Sequence, residues 1–217
     1  MTARLRIVLV VAGLLALGAA AVVTLAKRSD DGSGPAAEVT DVGGIQSPRS
    51  PFEGALRPAG ARARDFALRD QDGRLVTLRG QRGKVVVLSP MYTTCRDTCP
   101  LVSQQIRAAL LDLSEDERDE VVALALSVDP ANDTPESATR FLRTRRVDAY
   151  LDFLLGSRAE LRPIWRAYGF SPQTERFEHN SYVLLIDRRG RQRVGFPVNF
   201  LTPEALEHDL RLLLRAS

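Results

Sequence analysis

Apolar residues fall in two patterns, one unbroken stretch at the start of the chain and short alternating or clustered runs later. From Ile7 to Ala26 no charge interrupts IVLVVAGLLALGAAAVVTLA. As a helix this stretch spans roughly 30 Å, the hydrocarbon thickness of a bilayer. Arg4 and Arg6 precede it and favour a cytoplasmic amino terminus, so the rest of the chain is expected on the exported side. Residues 1–28 therefore read as a membrane anchor, with a cleaved signal peptide as the alternative because Gly18 to Ala21 offer small residues for cleavage. Residues 29–60 carry DDGSGP, VGG, SPRSP and RPAG with no surviving periodicity, the composition of a flexible linker. Residues 61–217 form the expected folded domain.

Within that domain, two short alternating runs around Asp72-Gly73 predict an N-terminal β-hairpin over Asp65 to Leu78. The runs KVVVLS (Lys84 to Ser89) and VVALALSV (Val121 to Val128) have the β-branched, fully apolar character of buried strands. Between them, Leu101, Val102, Ile106, Ala109, Leu110 and Leu113 recur at helical spacing. Further helices are expected after Thr134-Pro135-Glu136, over Ser157 to Tyr168 with Gly169 as the stop, and after Thr202-Pro203-Glu204. Tyr182 to Asp187 and Gln192 to Phe196 read as strands joined by the Arg188-Arg189-Gly190 turn. Strands separated by helices predict an α/β fold with a mainly parallel central sheet and helices on both faces, made mixed by this last hairpin.

Composition narrows the function. Thirty basic residues against 27 acidic ones give +3, but Arg4, Arg6, Lys27 and Arg28 supply that excess. The remainder is close to neutral, which argues against nucleic acid as a partner. Two cysteines are too few for a disulfide-rich scaffold or a four-thiolate zinc site.

Those cysteines stand in Tyr92-Thr93-Thr94-Cys95-Arg96-Asp97-Thr98-Cys99-Pro100, between a buried strand and a helix. Proline suits the first helical position, so Cys99 is expected to cap the helix and Cys95 to lie in the preceding loop. A helix amino terminus favours thiolate over thiol, and the carboxyl ends of sheet strands are where open α/β sheets bind ligands. The pair can serve as a structural disulfide, a redox centre or a metal site. A thioredoxin-type centre has two residues between its cysteines, whereas three stand here. The peroxidase pattern Pro-x-x-x-Thr-x-x-Cys also fails, since Cys95 follows Thr94 directly. Of the two histidines, His179 lies in a loop just before the Tyr182 strand, and His208 sits off the apolar face of the last helix. Asp129 and Asp133 read as turn and cap residues, and Met91 as core.

The hairpin FALRDQDGRLVTL, the strand KVVVL, Cys-x-x-x-Cys-Pro, SVDPANDTPE and His179 before the strand ending in Ile186-Asp187 occur in the order found in the Sco/SenC family. From about Arg64 onward the chain resembles this family of membrane-tethered copper proteins. The resemblance implies a thioredoxin-like fold and a copper site made by Cys95, Cys99 and His179. It also implies delivery of copper to the dinuclear centre of cytochrome c oxidase subunit II. Arg96 stands where the family usually has proline, and Glu178 where it usually has aspartate. Two thiolates and an imidazole suit soft Cu(I) at low coordination number and can also hold Cu(II), whereas zinc would want a fourth ligand. A metal carrier of this kind needs no enzymatic turnover, but it does need a thiol protein to keep its cysteines reduced. The alternative is a thiol–disulfide oxidoreductase in which Cys95 and Cys99 are the catalytic pair, keeping the oxidase cysteines reduced.

Overall fold

The computed structural model describes residues 50–173 and 182–216. Runs of β-branched and aliphatic residues set the sheet. Strand β4 (Val85–Met91) pairs in parallel with β5 (Val121–Ser127), placing Leu88 opposite Leu124, and β5 pairs in parallel with β6 (Asp152–Leu154). On its other side β4 lies antiparallel to β7 (Tyr182–Ile186), with Leu88 opposite Leu184. Strand β8 (Gln192–Pro197) and the short β1 (Ala55–Leu56) complete six strands in the order β1-β8-β7-β4-β5-β6. A separate hairpin, β2 (Ala67–Arg69) and β3 (Leu75–Thr77), occupies the place expected for it.

The sheet is mixed, but the expected parallel majority is not observed: the pairs on the β7 side of β4 are all antiparallel. The reason lies in the return path. The Gln173 N–H donates to the Val128 carbonyl just beyond β5, so the chain comes back to the sheet at the carboxyl end of the parallel strands. A strand that begins there must run against β4.

Val85 to Leu88, Leu124 to Ser127 and Val183 to Ile186 are buried at every consecutive position. Neighbouring strand residues point to opposite faces, so both faces of the sheet are covered. The covering helices are α1 (Thr98–Asp112), α3 (Pro135–Thr144), α4 (Arg158–Tyr168) and α5 (Pro203–Arg215), with a short α2 (Glu115–Asp119) leading into β5. Helices α1 and α5 pack together, and the Gln105 side chain at 2.8 Å and the Arg211 side chain at 2.9 Å tie them by donating to the carbonyls of Leu201 and Asp112. On α4, buried Trp165 donates its Nε1–H to the Ser127 carbonyl at 2.9 Å.

The boundaries of α3, α4 and α5 follow the expected signals. The Thr134, Ser157 and Thr202 hydroxyls each accept an N–H from their own first turn, and Gly169 ends α4 at φ 71°. Strand β1 falls inside the stretch whose composition suggests linker. It is fixed from far along the chain: the buried Asp209 carboxylate on α5 accepts the N–H groups of Glu53 (2.8 Å) and Gly54 (3.0 Å). Among the described residues no helix is long and apolar enough to cross a membrane. The apolar run Ile7 to Ala26 lies outside them, as does residue His179.

Candidate metal and redox centre

The loop between β4 and α1 carries both sulfurs. It is not built quite as its proline suggests. Asp97 is the residue before the helix, and Thr98, Cys99 and Pro100 all lie in the first turn, so Cys99 is inside the helix and does not cap it. The first four N–H groups of a helix have no partner within it, so proline is tolerated anywhere in that turn. The earlier start has a chemical consequence. The Cys99 N–H, one of those unpaired groups, donates to Cys95 Sγ at 3.2 Å. The sulfur four residues back thus does the job of a capping oxygen.

Both cysteines are free thiols and buried. Cys95 is held well below the ordinary thiol range, at about 5. The main cause is the Cys99 thiol donating to it. Burial opposes this, while the Cys99 N–H, the Tyr92 hydroxyl and the Asp97 N–H assist. Cys99 is pushed far up, because its proton is engaged by Cys95, its site is dry, and a charge on Cys95 opposes a second one. Tyr92 is raised by burial and by the same thiolate. The pair therefore holds one thiolate and one thiol at neutral pH and titrates as a unit. In the reduced chain, ultraviolet thiolate absorbance should show a single ionisation with a midpoint near pH 5. Cys99→Ala should move that midpoint up, and an unchanged midpoint would show that the sulfur pair is not the cause.

Beneath the loop, Asp133 is buried and accepts the Thr93 N–H at 2.7 Å and the Ser127 hydroxyl at 2.6 Å. Burial raises its pKa, against the pull of those two hydrogen bonds. The Asp133 carboxylate therefore joins the approach to Cys95 to the end of β5, a more central role than the cap its sequence context suggests. Asp129 does stay in the turn, where its Oδ2 accepts from the Asn132 side chain at 2.8 Å. Neither Tyr92 nor Ser127 is marked by sequence, because each matters only through a neighbour brought in by folding. Met91 is fully buried at the end of β4. His208 is half-exposed on α5, with Nδ1 3.0 Å from Asp209, and belongs to the β1 anchorage instead of the sulfur site.

Among the described residues no group of three or more His, Cys, Asp and Glu side chains is placed to hold a metal ion. The two sulfurs fit a soft, thiophilic cation: they are adjacent, one is already ionised, and both are shielded from water. They would supply two ligands.

Known proteins bear on which family uses this arrangement. A solved Bradyrhizobium japonicum protein, ScoI with copper bound, is 31% identical, with a TM-score of 0.57 over 71% of this chain and 100% of that one. Arabidopsis thaliana ScoI with copper bound is 25% identical, with a TM-score of 0.64 over 72% of this chain and 100% of that one. By sequence, the Arabidopsis thaliana mitochondrial protein SCO1 homolog 1 is 29% identical over 119 residues, which are 55% of this chain and 35% of that longer protein. The thioredoxin-like architecture is common to the chain and these Sco structures. The SCO1/SenC family model matches residues 55–215, from β1 through the last helix, and the chain belongs to the SCO1/SenC family.

Proposed function

We propose that the protein is a copper carrier of cytochrome c oxidase assembly, binding one copper ion through Cys95, Cys99 and His179. The observation that carries this reading is the pair of buried free cysteines at the β4–α1 junction, with Cys95 Sγ accepting from Cys99. Support comes from the copper held by the Bradyrhizobium and Arabidopsis relatives. Chain geometry makes His179 a reasonable third ligand. It lies three residues before Tyr182, so at most roughly 10 Å of chain separates it from the start of β7. Continued past Leu184, the β4–β7 register sets Tyr182 at the level of Pro90, the end of β4 that leads to the cysteines.

Copper is the cargo. The chain supplies a thiolate at Cys95, a thiol at Cys99 that loses its proton as the ion binds, and a neutral imidazole. Protons compete for these donors, so acid weakens binding. Delivery is ligand exchange with the dinuclear copper site of oxidase subunit II. The domain acts from the exported side of the membrane, held by residues 1–28 and a tether that ends before the anchored Glu53 and Gly54. A partner thiol protein returns the pair to the reduced state after oxidation.

One observation favours a second reading, a thiol–disulfide oxidoreductase acting on the oxidase cysteines. A thiolate at about 5 is a competent nucleophile at neutral pH. Cys95 would attack the partner disulfide and release one partner thiolate. Cys99, losing its proton, would then displace the second, leaving the partner as a dithiol and this chain with a Cys95–Cys99 disulfide.

His179→Ala separates the two. Anaerobic Cu(I) titration of the reduced chain against a competing chelator should give one ion per chain, with affinity at least about tenfold weaker in the variant. Its thiol–disulfide exchange rate should be unchanged. Full oxidase assembly in cells carrying the variant would transfer the assignment to the redox reading.

A further inference from the structure

A polar cleft of about 440 Å³ opens beside the cysteine loop. Its walls include Thr93 and Thr94 from the loop, Asn132 and Ser137, Arg140 in the carboxyl half of α3 and Arg145 just past its end. No carboxylate lines it. Arg145 rests over the Phe141 ring at 5.4 Å, with its Nε shielded from water and without a hydrogen-bond partner. Arg140 makes no hydrogen bond or ion pair among the described residues; Glu136, one turn earlier, lies within its field but outside this cleft. Thr94 adjoins Cys95, so whatever fills the cleft lies against the approach to the sulfurs.

We infer that this cleft docks an acidic segment of the protein partner that meets Cys95 and Cys99. The exported body is close to neutral, so two arginines facing one cleft with no acid in its wall are a local concentration of charge and not a general property of the surface. Arg140 and Arg145 are five residues apart, more than one helical turn, so they offer two separate cationic points instead of a single clamp. An extended segment spaces alternate side chains by ~6.8 Å, so one with Asp or Glu at positions i and i+2 presents two carboxylates to the two guanidinium groups. The exposed Thr94 hydroxyl, on the wall nearest the sulfurs, can bond the backbone of such a segment. Electrostatic docking of this kind raises the encounter rate and fixes the register in which a partner presents its ligands. The role rests on the sulfur pair being the exchange site, but the binding itself does not.

The probe is a dye-labelled Gly-Glu-Ser-Glu-Gly peptide, with Gly-Gln-Ser-Gln-Gly as its neutral twin, followed by anisotropy with the full-length chain in dodecyl maltoside. The acidic peptide should bind at low salt and the neutral one should not. Arg140→Gln, which removes no contact of the fold, should weaken binding about fivefold, and Arg140→Gln with Arg145→Gln should abolish it. Cys95→Ser with Cys99→Ser should leave peptide binding intact, so loss of copper binding and loss of docking are read separately. Equal binding of the two peptides, or by the arginine variants, overturns the inference. So does displacement by equimolar inorganic phosphate, which would make the cleft a small-anion site. Tighter peptide binding after Asp30, Asp31, Glu38 and Asp41 are all made amides would assign the cleft to the chain's own tether and overturn it equally.

Discussion

The reduced chain with both Cys95→Ser and Cys99→Ser should lose Cu(I) binding altogether, while its fold and melting behaviour stay close to those of the parent. A hydroxyl is a hard, neutral donor that cannot replace a thiolate for a soft ion. The loss should therefore exceed the ~10–100-fold that follows removal of a merely supporting partner. The single variants should differ, because the two sulfurs are not equivalent. Cys99 is held protonated chiefly by its engagement with Cys95. Cys95→Ala should therefore lower the Cys99 pKa, leaving one sulfur that is easier to ionise but sits inside the helix. Cys99→Ala instead leaves Cys95 with its N–H and Tyr92 donors but without its strongest one, so its pKa rises. Cu(I) competition titrations of the three variants beside thiolate absorbance measure both effects. Near-parental affinity in the double variant would end the copper-carrier reading.

Local signals account for the elements whose boundaries follow expectation. Thr134, Ser157 and Thr202 start helices because their hydroxyls accept N–H groups three residues ahead, and Gly169 stops one because it can take a positive φ. Such interactions are complete within a single turn, so the sequence displays them. Strand β1 is different. Ala55 and Leu56 have no pattern of their own and are held because Asp209, more than 150 residues later, accepts the N–H groups just before them. Strand β6 is similar, with three residues kept in the sheet partly by Gln71 Oε1 accepting the Phe153 N–H at 2.7 Å. The sense of β7 depends on where the chain returns, which no local pattern encodes. At the site, the cysteines were legible because their spacing and the following proline are local. Tyr92, Ser127 and Asp133 were not, since what matters is the sulfur or N–H each meets after folding.

Asp133 carries the second large effect. Asp133→Ala should destabilise the protein by about 2–4 kcal/mol, because the part-buried Thr93 N–H and the buried Ser127 hydroxyl would both lose their acceptor. It should also free the start of the cysteine loop and weaken Cu(I) binding by ~10–100-fold, the usual cost of losing a group that orients a ligand. Asp133→Asn should be far milder. Its carbonyl oxygen can still accept the Thr93 N–H, and the Ser127 hydroxyl can turn to accept from the new amide, so both bonds survive with the charge removed. The pH dependence has a definite sign. Burial holds the Asp133 pKa above its ordinary 3.8, so just above pH 4 the folded chain binds more protons here than the unfolded one. This group's contribution to stability is therefore greatest below that ordinary value and declines as pH rises through the folded pKa. Relative to Asp133→Asn, which does not titrate, the parent should gain stability on acidification through that window. Urea unfolding of the reduced, copper-free proteins at several pH values measures it, and equal losses in the Ala and Asn variants would show that the charge, and not the two hydrogen bonds, is what the loop requires.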